Sequence, residues 1–271
     1  MNILYCGDQK MGDGLLISTI SLLKNVSEPL NIYVLTASIH TASKDYFPLP
    51  KKTTQKLANL VKEKNVKNGV HRIDISNLVA KQPPVANMNS IFTPNCMLRL
   101  YADQVSELPD RLLYLDTDVI CRKDCSTFYH QSLDHLQLVG VLDYYGKWVF
   151  RRIFGKFHYL NSGILLLNMP EIRTTGLFAD ALKLCQTNRM FMPDQTAINS
   201  LMSERKIAPR RYNEQRRLHN STVFQHFTTS FRMFPWIHTL TVKPWEVDKV
   251  HHELRLYEYD DILAEYEALK K

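Results

Sequence analysis

Short apolar runs that end in polar or glycine-containing turns recur along the chain. Asn2-Ile-Leu-Tyr-Cys6 stops at Gly7-Asp8, which predicts a buried strand ending in a turn. Leu15, Leu16, Ile17, Ile20, Leu22 and Leu23 follow at helical spacing, and residues 31–36 return to a β-rich run. A strand, helix and strand over this length predict parallel pairing through a right-handed crossover. Residues 52–64 read as a Lys-rich surface helix, and Val70-His-Arg-Ile-Asp-Ile75 as a third strand. Cys96 to Leu108 reads as helical, with Met97, Leu98, Leu100, Tyr101 and Val105 on its apolar face. Residues 112–115, 138–142 and 164–167 read as further buried strands. There is no internal repeat and no low-complexity linker. The alternation predicts an α/β protein with a doubly wound, mostly parallel, Rossmann-like sheet. One catalytic-type domain is expected over 1–246, with an amphipathic helical appendage over 247–271.

Composition narrows the classes. The 271 residues are 45% hydrophobic and 23% charged, which excludes a disordered chain, collagen and a coiled coil. No run approaches the ~20 apolar residues of a membrane span. The first residues have no basic region and no long apolar stretch, so they do not read as a secretory signal. Five cysteines, Cys6, Cys96, Cys121, Cys125 and Cys185, do not make a disulfide scaffold in a chain this long. They read as reduced thiols of a cytoplasmic protein.

The chain carries a net charge of +7, and its excess has an address. Arg205 to Lys243 holds eight Lys or Arg against one acid, Glu214, so the rest of the chain is balanced. A second basic stretch runs from Lys147 to Lys156.

The strongest chemical signal is Leu112-Leu-Tyr-Leu-Asp116-Thr-Asp118. A buried strand runs straight into two carboxylates, at the end of an α/β sheet where ligands bind. Paired carboxylates there repel and are costly to desolvate unless a cation joins them, and oxygen ligands suit Mg²⁺ or Mn²⁺. Taken alone, the motif fits a metal site and a pair of exposed loop aspartates alike.

Three further motifs follow in order. Asn161-Ser-Gly163 precedes the run 164–167, Pro193-Asp194-Gln195 opens a helix, and Lys243-Pro-Trp245 lies near the end, with His226-Phe227 and His238 upstream. With the Asp-x-Asp and the first strand ending in Asp8, these resemble glycosyltransferase family 8, the retaining sugar transferases of GT-A fold, over nearly the whole chain.

The resemblance implies a hexose transfer, of glucose or galactose, from a UDP-sugar to a hydroxyl of a glycan or lipid-linked saccharide, with Mn²⁺ or Mg²⁺. It implies that Asp8 accepts the uracil N3–H, that Gly7 lets the base approach, and that Arg99 and Lys243 serve the donor. Met11 stands where the family has an aromatic residue stacked on the base. Asp116 and Asp118 match the metal pair and His226 the third ligand, favoured over His238 because an aromatic follows it. The resemblance places Gln195, Asp194, Asp143 and Asn161 around the transferred sugar. The gap from His226 to Lys243 is longer than the family's and implies an inserted loop, Thr228 to Val242, whose Phe231, Met233, Phe234, Pro235 and Trp236 would sit near the site.

The runner-up is a sugar-nucleotide-binding partner protein on the same fold with little turnover. A nucleic-acid-binding protein, suggested by the basic charge, lacks any recognised motif, and no nucleic-acid partner is expected. The basic segments read as a rim for the diphosphate and for an anionic lipid-linked acceptor. A peripheral contact with the inner face of the plasma membrane is expected.

Overall fold

The structure is a computed structural model that describes residues 1–90, 93–144, 158–232 and 238–270. The first half alternates as the pattern requires: β1 (Asn2–Cys6), α1 (Gly12–Asn25), β2 (Asn31–Thr36), the short pair β3 (Ile39–His40) and β4 (Asp45–Tyr46), α2 (Lys51–Lys64), β5 (Gly69–Asp74) and α3 (Ser76–Lys81). A 3-10 helix, Pro94–Gln104, leads into β6 (Arg111–Leu115). Then come β7 (Val119–Cys121), α4 (Ser126–Tyr129), β8 (Leu138–Leu142) and β9 (Leu160–Asn168). Helices α5 (Met169–Thr175), α6 (Leu177–Thr187) and α7 (Pro193–Leu201) follow. The remainder holds β10 (Arg205–Ile207), β11 (Phe224–His226), β12 (Ser230–Arg232), β13 (His238–Leu240), α8 (Val247–His252) and α9 (Asp260–Lys270).

Seven strands form the central sheet in the order β10-β8-β9-β6-β1-β2-β5. β6, β1, β2 and β5 are parallel, as is β10 with β8; β9 runs antiparallel to both β6 and β8. The α/β class and mostly parallel sheet expected from the sequence are therefore present. Strand alternation divides the core. Ile3, Tyr5, Leu113 and Leu115 face Leu15, Leu57 and Val61. Leu4, Leu112 and Tyr114 face Met97, Leu98, Tyr101 and Phe178. The C-terminal segment packs Val250, Tyr259, Ile262, Leu263 and Tyr266 onto Ile17 and Ile20 of α1.

Two local readings change. The segment expected as a helix over Cys96 to Leu108 is a 3-10 helix over Pro94–Gln104. It buries Met97, Leu98, Leu100 and Tyr101 as the apolar face required. Asn161, Ser162 and Gly163 do not precede the strand but lie inside β9, buried along its length. Their backbone stays extended, and their polar groups find partners among the site residues. The stretch Lys147 to Lys156 and residues 233–237 of the expected insertion lie outside the described residues.

Candidate active site

The carboxyl end of β6 delivers Asp116, Thr117 and Asp118 beside the parallel neighbour β1. A tight turn, Val119 N–H to Asp116 O at 3.2 Å, redirects the chain into β7. β7 pairs antiparallel with β11, with His226 opposite Val119. That short ladder, separate from the main sheet, carries the imidazole to the carboxylates. His226 Nε2 lies 3.2 Å from Asp118 Oδ1 and 3.7 Å from Asp116 Oδ2. Ligand atoms of all three residues fall within 4.8 Å of one another.

Lys243 closes the cluster. Its ammonium donates to Asp118 Oδ2 and, at 3.1 Å, to Phe227 O. Burial opposes the charge on Asp118, but the adjacent Lys243 and His226 outweigh it and hold its carboxyl well below the usual range. Burial likewise disfavours charge on His226, yet Asp118 prevails and raises its pKa.

Two glycines set the tolerances. A Cβ on Gly163 would lie 2.2 Å from His226 Cε1 and 2.7 Å from Asp116 Oδ2. A Cβ on Gly14 of α1 would lie 2.6 Å from Thr117 O and 2.7 Å from Trp245 Cζ3. The Asp-x-Asp turn is thus closely flanked by β9 and by α1 with Trp245. Gly163 stands within a recognised motif, but nothing in the spacing singles out Gly14.

Behind the carboxylates lies Arg99, 3% exposed. Its guanidinium reaches Asp116 Oδ1 at 2.9 Å, Asp194 Oδ2 at 3.3 Å and Ser162 O, and lies 3.9 Å from the centre of the Tyr114 ring. Tyr114 also donates to Asp116 Oδ1 at 2.6 Å. Arg99 therefore orients both acids from beneath.

A third group joins β8, β9 and α7. Asp143 Oδ2 accepts from Asn161 Nδ2 and Gln195 Nε2, each at 3.0 Å. Gln195 Oε1 accepts from the Ser162 N–H at 2.9 Å, and Ser162 Oγ donates its one proton to Asp194 Oδ2 at 3.1 Å, with Gln195 Oε1 the alternative acceptor at 3.3 Å. Asp194, Gln195, Asn161 and Asp143, separated by up to 52 positions, thus form one network.

Asp8 caps the turn after β1, its Oδ1 accepting from Lys10 N at 2.8 Å. A Cβ on Gly7 would meet Met11 Sδ at 2.8 Å, so the buried thioether packs directly on that glycine. His238 lies in β13, paired with β12, while the cluster of acids and imidazole contains His226.

The donor set fits a hard divalent ion. Two carboxylates and one imidazole converge, and His226 Nδ1 is buried without a hydrogen-bond partner. Asp116, Asp118 and His226 can hold such an ion.

Among the described residues no helix is long and apolar enough to cross a membrane. The fold is shared with solved structures of LgtC. An active-site mutant superposes with a TM-score of 0.71 at 16% identity, covering 99% of this chain and 95% of that one. The galactosyltransferase LgtC in complex with donor and acceptor sugar analogs gives 0.68 at 16% identity, covering 100% and 97%. The lipopolysaccharide 1,2-glucosyltransferase of Escherichia coli (strain K12) is 28% identical over 225 residues, 79% of this chain. The chain spans 62% of that relative's length. The family model for glycosyl transferase family 8 matches residues 2–249, and the chain belongs to that family.

Proposed function

We propose that the chain is a metal-dependent, retaining hexosyltransferase that moves glucose or galactose from a UDP-sugar to a hydroxyl of a glycan or lipid-linked saccharide. The observation that carries this reading is the convergence of Asp116, Asp118 and His226 with Lys243. Residues 1–246 would form the catalytic unit and 247–271 a segment docked on it. The relatives are named for glucosyl and galactosyl transfer, which supports a hexose.

Breaking the bond to the nucleoside diphosphate develops negative charge on the leaving phosphate and positive charge at the anomeric carbon. Asp116, Asp118 and His226 would hold Mn²⁺ or Mg²⁺, which when bound would supply Lewis-acid stabilisation of the departing diphosphate. Lys243 adds a point charge from a fixed position. Arg99 fixes the orientation of Asp116 and Asp194 without leaving its buried place. Asp8 serves the uracil edge, with Met11 in place of a stacking aromatic ring.

Gln195 is poorly suited to attack the sugar. Its amide oxygen already accepts from the Ser162 N–H, and an amide is a weak nucleophile. Front-face substitution, with the leaving phosphate taking the acceptor proton, fits better. Asp143, Asn161 and Asp194 then hold sugar hydroxyls by hydrogen bonds.

A donor screen tests the reading: UDP release from a panel of UDP-sugars with Mn²⁺. Turnover of UDP-glucose or UDP-galactose supports it. Tight binding of UDP-sugars without turnover would instead make the chain a sugar-nucleotide-binding partner. The basic rim is proposed to meet an anionic membrane peripherally, from the cytoplasmic side. Neutralising Arg210, Arg211, Arg216 and Arg217 should then weaken binding to anionic liposomes.

A further inference from the structure

Four exposed arginines, Arg210, Arg211, Arg216 and Arg217, crowd the chain between β10 and β11. Glu214, the one acid among them, is 1% exposed. Its Oε1 accepts from the Arg210 guanidinium and from the backbone N–H groups of Arg216 (2.9 Å) and Arg217 (3.1 Å). Its Oε2 lies 3.6 Å from His219 Nε2. The acid shapes the loop and balances Arg210. Among the described residues Arg216 has no carboxylate at ion-pair distance.

Two tethers hold this loop against the network around Gln195. Asn213 Nδ2 donates to Asn161 Oδ1 at 2.9 Å, and the Tyr144 N–H donates to Gln215 Oε1 at 3.0 Å. Tyr144 directly follows Asp143. The Arg210 guanidinium carbon lies 4.5 Å from the Tyr144 ring centre and that of Arg216 5.4 Å. Arg216 Nη1 also donates to the Tyr144 hydroxyl at 2.7 Å. Gln215 Nε2 is buried without a hydrogen-bond partner beside this group.

We propose that the Arg210–Tyr144–Arg216 clamp is a subsite for a phosphate group carried by the saccharide acceptor. This deepens the transfer reading and rests on it. A guanidinium fork matches phosphate oxygens in pairs, and its charge does not titrate away. Tyr144 holds the two forks in place, so less side-chain freedom is lost when the anion arrives. The tethers to Asn161 and to the residue after Asp143 put the clamp beside the groups proposed to hold the transferred sugar. A neutral acceptor could only hydrogen-bond to Arg216 and would leave its charge, which no acid in the described structure offsets, unneutralised.

Equilibrium dialysis of the whole chain, saturated with UDP and Mn²⁺, tests the subsite against glucose, glucose 6-phosphate and inorganic phosphate. UDP fills the donor's diphosphate position, so remaining phosphate affinity reports a second site. Glucose 6-phosphate should bind about tenfold more tightly than glucose. Arg216→Gln should remove most of that preference, and Lys52→Gln with Lys56→Gln, on the remote α2, should keep it. Arg210→Gln disturbs buried Glu214, so Arg216→Gln is the deciding variant. Equal affinity for the two sugars, or a preference that survives Arg216→Gln, overturns the proposal. So does inorganic phosphate binding as tightly as the sugar phosphate, because no saccharide is then recognised. UDP release from UDP-sugars is scored separately: turnover without the phosphate preference refutes the clamp alone, and the preference without turnover refutes transfer alone.

Discussion

Gly163→Ala is the sharpest perturbation of the candidate metal site, because it adds one methyl group and removes no ligand. The new Cβ would start 2.2 Å from His226 Cε1 and 2.9 Å from His226 Nδ1. Carbon atoms in contact sit about 3.5–4.0 Å apart, so the imidazole must retreat by more than about 1 Å. His226 is 5% exposed and its strand is paired with β7, so its backbone cannot easily follow the ring. Overpacking of this kind costs about 1–3 kcal/mol, a fall in Tm of about 2–5 °C for a chain this size. The same retreat breaks the 3.2 Å approach of Nε2 to Asp118. Mn²⁺ affinity, read from the free-ion signal in electron paramagnetic resonance, should fall about tenfold or more, in the range seen when a ligand's support is disturbed. Circular dichroism should stay that of the parent. A Gly163→Ala chain with unchanged Tm and Mn²⁺ affinity would refute both the contact and the role of His226.

Other expectations follow from neighbouring contacts. Asp116→Asn should abolish transfer with little loss of fold, since Arg99 keeps Asp194; parental turnover at saturating Mn²⁺ would sink the metal assignment. Arg99→Met leaves Asp116 and Asp194 without their shared cation and should cost about 3–5 kcal/mol in urea unfolding; a loss under about 1 kcal/mol would mean the pairs contribute as surface pairs do. Because Asp118 is held below its ordinary pKa, its pairing stabilises fully above about pH 5 and is lost as pH falls through the lowered value. Lys243→Met, unfolded in urea with EDTA present, should therefore show a flatter decline in stability below about pH 5; an unchanged acid limb would contradict the Lys243–Asp118 pairing.

The parallel half of the sheet is legible in the sequence because β1, β2 and β6 each carry a continuous apolar run closed by a turn, and the edge strand β5 is rich in β-formers despite its His71 and Arg72. β9 is harder. Its first residues, Asn161-Ser-Gly163, read as a turn because polar side chains with glycine usually mark one. Here they remain extended because Gln195, Asp194 and Asn213 satisfy them. Its antiparallel direction leaves no mark in the pattern, since a strand buried on both faces has the same composition either way. Among the site residues, Asp116 and Asp118 are visible from their strand. Asp143, Asn161 and Gln195 come only from family resemblance, because hydrogen bonds across 18 to 52 positions have no local signature. The delivery of His226 by the β7–β11 ladder is likewise hidden, as each strand is only three residues long. Glu214 reads as a lone acid among arginines, and only its burial shows it as the loop's organiser.

Helix α1 carries a glycine at position 14, inside its first turns, where alanine would improve the helix itself. Replacing glycine by alanine within a helix ordinarily gains about 1 kcal/mol. At Gly14 the sign reverses, because the added atom meets the Thr117 carbonyl at 2.6 Å and the Trp245 ring at 2.7 Å. Backbone cannot rotate aside as a side chain can. Engineering this chain for heat resistance by the usual helix rules would therefore disturb the Asp116–Asp118 turn, and local helical weakness is the condition under which that turn keeps its place.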